Sequence, residues 1–318
     1  MKFPKCEIFA TCRCFSALAM TFALKPDTAM KTETNAAVRR GDSSTDRVLG
    51  LLDLFTVETP IWTADMLMDN QGLGRATVYR YLKALTDAGF LAPIGGGGYA
   101  LGPRFIEMDR QIRMADPLLQ IGPCLMQSLR KKVAGAQLLC RYYGLRVLTI
   151  HEERTDERIL TSFQRGRPFP LFLGAPSRII LANLPQPQLQ KLFLYHADEI
   201  RSAGLGSTWI EFRDQMKAVR KTGYAVASDI DKTLVGVAAP IFLAPDAVTA
   251  SLCLVRLKEE CTEDDIAFLG EVAIKAGQKL SEGLQQLTEA RSTAQNSADG
   301  QERNRKTASP RLKTRAIA

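Results

Sequence analysis

Histidine is almost missing from this chain: His151 and His196 are the only two in 318 residues. The seven cysteines, at positions 6, 12, 14, 124, 140, 253 and 261, include no Cys-x-x-Cys pair, so neither a zinc set nor a disulfide framework is indicated. Cys12 and Cys14 form a Cys-x-Cys without a third partner nearby in sequence, and reduced cytosolic thiols are the better reading. Also lacking are a Gly-x-Ser-x-Gly elbow, a His-Glu-x-x-His helix and a Gly-Lys-Ser/Thr phosphate loop. No cofactor, metal or catalytic residue is therefore expected. No run reaches the roughly 18 to 20 apolar residues that span a bilayer.

Lys2 and Lys5 stand ahead of an apolar-leaning stretch from Cys14 to Leu24, a superficial likeness to a signal peptide. Arg13 interrupts it and no small-x-small site precedes Lys25, so residues 1–43 read as a disordered extension of a cytoplasmic protein, with Met30 as an alternative start.

Basic residues exceed acidic ones, 42 to 34, for a formal charge of +8. The excess is +3 in residues 1–44 and +4 in residues 288–318, which leaves +1 for everything between. A nucleic-acid reading of the folded part must therefore come from local pattern.

That pattern lies between Thr63 and Arg104. Thr63 can cap a short helix and Gly72 can end it left-handed. A second helix starts near Arg75, with Val78, Leu82 and Leu85 at i, i+4 and i+7 along one buried stripe and Gly89 as its stop. Away from the stripe stand Arg75, Thr77, Tyr79, Arg80 and Lys83, with no acidic residue between Arg75 and Leu85. Such a face suits phosphates and base acceptors in a major groove. Residues 90–94 and 99–101 read as strands joined by Gly95, Gly96, Gly97 and Gly98, the wing of a winged helix-turn-helix. A helix from Thr45 to Val57, with Ser44 as cap, completes a three-helix core.

Beyond the wing, Phe105, Met108, Ile112 and Ala115 recur at three- and four-residue steps, a narrow apolar stripe of the kind that pairs helices. Asp116-Pro117 opens a further helix through Leu129, with Pro123 expected to kink or restart it. Residues 137–143, 147–152 and 159–163 read as strands, followed by helices over 176–183, 187–196 and 208–222. Strands over 224–227, 234–242 and 248–257 return before a last helix over 262–287. This alternation predicts an α+β sensor domain without a dinucleotide glycine fingerprint. From Thr288 large apolar residues vanish, and residues 288–318 read as a disordered basic tail.

Taken together, STDRVLGLLDLF (44–55), GLGRATVYRYLKALTDAGFL (72–91), YALGPR (99–104), GRPFPLFLGAPSRIILANLP (166–185) and GYAVASDIDKTLVGVAAPIF (223–242) resemble an IclR-type transcriptional regulator. The likeness runs from about Ser44 to Leu287. It implies a winged helix-turn-helix over 44–103, a linker helix over 104–120 and a GAF-like α/β effector-binding domain over 121–287. It further implies a homodimer or homotetramer that binds double-stranded operator DNA and a small-molecule effector. In the family the loop resembling PLFLGAPSR borders the effector pocket, so the matching positions are Gly174, Ala175, Pro176 and Ser177, whose backbone amides suit a carboxylate. The stretches resembling SDID and ASLCLV add Asp229, Asp231 and Cys253.

The chain departs from many members at two places: Phe172-Leu173-Gly174 stands for a His-Ala-Thr, and Gly236 for a cysteine. Phe163, Phe169 and Phe172 either fill the core, the better-supported alternative, or make the pocket apolar enough for an aromatic or branched acid. Two rival functions remain open: a hydrolase built on Ser177, His196 and Asp229 or on Cys253 as nucleophile, and a nonspecific nucleic-acid binder driven by the basic tails.

Overall fold

The computed structural model describes residues 43–159, 164–245 and 247–307, with side chains to residue 290. The N-terminal extension expected over residues 1–43, with Cys6, Cys12, Cys14 and Met30, lies outside them, as do Phe163 and residues 308–318. The described residues form two compact units that part between Phe105 and Ile106.

In the first unit, helix α1 (Ser44–Gly50) is capped by Ser43, whose hydroxyl accepts from the Asp46 amide at 3.1 Å. The cap thus falls one residue before the expected Ser44. The helix stops at Gly50 instead of running to Val57, and the chain tightens into a 3-10 turn over Leu52–Leu54. Glycine within a helix is costly, and the turn points Leu51 and Phe55 into the core.

Helix α2 (Ala64–Gln71) is capped by Thr63, whose Oγ1 accepts from the Met66 amide at 3.3 Å, and ends at Gly72 in the left-handed region at φ 63°. Helix α3 (Arg75–Asp87) buries Val78, Leu82 and Leu85, and also Tyr81. These side chains pack on Leu51, Ala64, Leu67 and Leu91, so a single core holds the three helices.

Three strands complete this unit, in the order β1 (Trp62–Thr63), β3 (Gly98–Leu101), β2 (Leu91–Ile94). The pairing of Trp62 with Tyr99 was not expected from sequence; Trp62 also donates from Nε1 to the Leu54 carbonyl at 2.9 Å. Trp62 thus ties the wing to the 3-10 turn that follows α1.

The second unit is a six-stranded antiparallel sheet between helical layers. Its strand order is β6 (Pro168–Phe169), β5 (Val147–Arg154), β4 (Ala136–Tyr142), β9 (Ala247–Leu257), β8 (Leu234–Ala244), β7 (Ala225–Ala227). Strand alternation divides the core. Leu138, Cys140, Ala238, Cys253 and Val255 face α6 (Ala175–Ala182), α7 (Gln186–Ser202) and α8 (Trp209–Thr222). Leu139, Ile241, Ala250 and Leu252 face α5 (Pro117–Leu129) and α9 (Glu263–Thr307). A winged helix-turn-helix followed by an α/β domain makes this an α+β protein.

Several local expectations are corrected. The stretch 104–120 is two helices, α4 (Arg104–Ala115) and α5, divided at Asp116, whose carboxylate accepts from the Leu118 amide at 2.9 Å. Pro123 sits inside a continuous α5. Residue 159 belongs to a turn, its amide donating to the Asp156 carbonyl at 3.2 Å, and residues 160–163 lie outside the described part. Helix α7 breaks at His196, whose φ of −133° is not helical, and resumes to Ser202, so the expected helix end at 196 is a kink with a further helical segment beyond it. Helix α9 does not stop at Leu287 but continues to Thr307, so residues 288–307 are helical where a disordered tail was expected. Ala, Glu, Gln and Arg are frequent in that extension and no proline occurs before Pro310, so propensity favours propagation.

Candidate functional site

The first candidate is the outer face of α3. Arg75, Tyr79, Arg80 and Lys83 are exposed on it, and Thr77 is half-buried. The helix has no side-chain cap: Gly74 at the N-cap leaves the first-turn amides and the positive end of the helix dipole unshielded by any acidic side chain. The Arg75 guanidinium lies over the Tyr79 ring at 5.5 Å and that of Arg80 over Tyr81 at 5.4 Å. These contacts hold two long cations close to the helix surface. Lys83 meets Asp87 at 3.6 Å, an exposed i,i+4 pair that barely restrains either partner.

The second candidate is a small cavity of about 60 Å³ in the other unit. Sheet residues Leu138, Leu234, Gly236, Cys253 and Val255 form its floor, and Phe169, Gly174, Ala175 and Pro176 one wall. The segment Ala227 to Asp231 supplies the rest of the lining. The lining is mostly apolar.

Six of the seven expected effector positions meet here: Gly174, Ala175, Pro176, Asp229, Asp231 and Cys253. Ser177 does not line the cavity. It is fully buried, and its Oγ donates to the Pro170 carbonyl at 2.9 Å. Two residues into α6 from the cavity-lining Ala175, helical rotation turns its side chain back onto the Pro170 turn. Asp231 spends one carboxylate oxygen on Thr233, accepting from its amide at 2.9 Å and its hydroxyl at 2.6 Å. Phe169 lines the cavity, whereas Phe172 is buried in the core beside the His196 ring at 5.7 Å. Both rings belong to the buried core, and Phe169 in addition lines the cavity.

The amide of Gly174 in this loop is engaged by a side chain of the same chain, the Asp229 carboxylate. The Gly174 amide donates to Oδ1 at 3.1 Å and to Oδ2 at 3.3 Å, and Arg178 Nη2 donates to Oδ2 at 2.7 Å. Gly174 has φ 80°, a left-handed conformation in which a side chain is strained, and a Cβ there would also meet Ile230 at 2.8 Å. Arg178 was missed from sequence, although its place one turn beyond Gly174 puts it on the same side of α6.

Burial pushes the Cys140 thiol up to about 12, and also drives the Cys253 thiol well above its usual range. Both stay protonated near neutrality, which removes Cys253 as a nucleophile. Of the imagined hydrolase set, Ser177 is engaged with Pro170 and Asp229 with Gly174 and Arg178, while His196 Nδ1 meets Glu199 at 2.8 Å. Among the described residues no group of three or more His, Cys, Asp or Glu is placed to hold a metal, and no helix is long and apolar enough to cross a membrane.

A helix-turn-helix unit with an exposed basic helix and a second unit with an apolar cavity are the two parts of a helix-turn-helix regulator with an effector-binding domain. The IclR helix-turn-helix domain matches residues 44–94, and the family described as bacterial transcriptional regulator IclR C-terminal matches residues 117–282. The chain belongs to the IclR family and is a transcriptional regulator, not an enzyme.

It is 25% identical over 236 residues to the HTH-type transcriptional regulator KipR of Bacillus subtilis, covering 73% of this chain and 93% of KipR. To XynR of Escherichia coli it is 23% identical over 244 residues, 76% of this chain and 96% of that protein. The fold matches the Thermotoga maritima IclR crystal structure with a TM-score of 0.60 at 17% identity, over 76% of this chain and 98% of that one. It also matches an IclR homologue from Microbacterium hydrocarbonoxydans complexed with 4-hydroxybenzoate, with a TM-score of 0.61 at 19% identity, over 76% and 99% of the two chains.

Proposed function

We propose that this regulator binds a specific operator through α3 and that a small organic acid in the sheet cavity modulates that binding. The observation that carries the reading is the outer face of α3, where Arg75, Tyr79, Arg80 and Lys83 are exposed and no acidic side chain occurs from Arg75 to Leu85. Arg75 and Arg80 contact bases or phosphates, Tyr79 and Thr77 seat the helix, and Lys83 lies on the backbone. A second copy doubles the site: α4 leaves Ile106, Ile112 and Met114 at 75%, 52% and 64% exposure, apolar surface suited to a partner helix. Two reading helices then address inverted half-sites one helical turn apart.

The effector reading rests on an apolar cavity with carboxylate-binding groups at its edge. A protein of the same fold complexed with 4-hydroxybenzoate supports an organic acid as the ligand class. Coupling runs from the cavity wall at Phe169 to Arg165, four residues earlier, and on to Asp109 of α4 at 2.5 Å. A ligand that shifts Phe169 changes what holds α4.

The test is fluorescence anisotropy of the full-length protein on its own upstream intergenic DNA, with and without a panel of small carboxylic acids. The reading expects at least one acid to change the operator Kd several-fold while leaving binding to a scrambled duplex untouched. Operator binding indifferent to every acid would remove the effector half.

A further inference from the structure

The Asp229 carboxylate lines the cavity and engages the Gly174 amide, which also lines it, and Arg178, which stands behind Asp229 and is not part of the lining. It comes from a distant segment, the turn after β7, and its side chain remains about one quarter exposed. The arrangement uses the arginine incompletely. Arg178 Nε is buried and has no hydrogen-bond partner, while Nη2 on the same edge of the guanidinium is taken by Asp229. That edge presents two parallel N–H groups whose spacing matches the two oxygens of one carboxylate. Asp229 shares its oxygens with the Gly174 amide and fills half of the edge, and an unmatched buried donor is unfavourable.

We infer that Asp229 is an internal stand-in for the ligand's carboxylate. A small monocarboxylate with an apolar body takes both Nε and Nη2 of Arg178, lays its body against Phe169, Leu138 and Val255, and displaces Asp229 towards solvent. This deepens the effector reading above and rests on it. A single arginine cannot neutralise two carboxylates, so ligand and Asp229 exclude one another. Uncharged analogues gain nothing from the exchange, and the cavity selects acids over their amides for that reason. Release of Asp229 frees the turn from Ser228 to Thr233, which makes occupancy detectable outside the cavity.

The test uses the full-length protein and calorimetric titration with acetate, butyrate, isovalerate and benzoate, each beside its amide. Asp229→Asn, which keeps the size of the side chain and removes its charge, is expected to bind at least one of these acids about ten-fold or more tighter than the parent. No amide should gain. Arg178→Gln is expected to abolish the preference for acid over amide. A thermal melt of each variant verifies folding. Hydrogen exchange on the unaltered protein supplies an independent reading, because a bound acid should speed exchange of the peptide spanning residues 228–233. Equal affinity in Asp229→Asn and the parent, binding of none of the acids by that variant, or slower exchange in 228–233 on binding would each overturn the stand-in. An acid that binds as expected yet leaves operator affinity unchanged would instead refute the effector reading and leave the stand-in in place.

Discussion

Arg165 and Asp109 form an ion pair, Nη2 to Oδ1 at 2.5 Å, that joins the segment before β6 to the middle of α4. The same guanidinium donates from Nη1 to the Ile150 carbonyl of β5, and the second oxygen of Asp109 accepts from Arg113 Nε at 2.6 Å. Asp109 is thereby shared between its own helix and the edge of the sheet that carries Phe169.

The Arg165 hydrogen bond, the largest influence on it, holds the Asp109 carboxyl below its ordinary value of 3.8; partial burial opposes that shift and Arg113 reinforces it. With a depressed native pKa, the stabilising contribution is complete above pH 3.8 and is lost as pH falls through the lower native value. Arg165→Ala should therefore raise the Asp109 midpoint towards ordinary, as read by carbon-detected NMR titration. An unmoved midpoint would show that the pair does not form in solution.

Gly236 keeps the cavity open. A Cβ at this position would stand 3.3 Å from Cys253 Sγ and 3.6 Å from the Ala175 Cβ, and the backbone there imposes no positive φ. Gly236→Val is expected to weaken binding of small acids ten-fold or more while operator affinity without ligand stays within two-fold. Unchanged acid affinity in calorimetry would place the ligand elsewhere.

Thiol chemistry separates the described cysteines. Cys124 is exposed, whereas Cys140 and Cys253 are buried with their thiols pushed up, that of Cys140 to about 12. Iodoacetamide at pH 8 should modify Cys124 and spare Cys140 and Cys253, as followed by peptide mass spectrometry; rapid labelling of Cys253 would mean that the cavity is open and polar.

Local signals placed most of the elements. Thr63 and Gly72 bound α2, and the stripe of Val78, Leu82 and Leu85 identifies α3, because capping and period-3.6 burial are properties of neighbouring residues. The pairing of Trp62 with Tyr99 was not legible, since it joins residues on either side of two helices in a strand of two residues. The extension of α9 to Thr307 was missed because loss of large apolar residues was read as disorder, although half of residues 288–307 are Ala, Glu, Gln or Arg and no proline interrupts them. In the cavity, Gly174, Asp229, Asp231 and Cys253, named from the resemblance and not from any local pattern, lie in one lining. Ser177 turned inward and Arg178 outward to Asp229, a distinction set by one residue of helical rotation that residue type alone does not carry.

The central claim is that α3 reads DNA, and Arg80→Ala examines it most directly. Fluorescence anisotropy should compare the variant with the parent on upstream intergenic DNA and on a scrambled duplex of equal length, at two salt concentrations. The account predicts a preference for the native duplex that survives higher salt, and a loss of about 1 to 3 kcal/mol of operator affinity in the variant. Equal binding to both duplexes, erased by salt and indifferent to Arg80, would contradict it and leave nonspecific attraction by the basic ends of the chain.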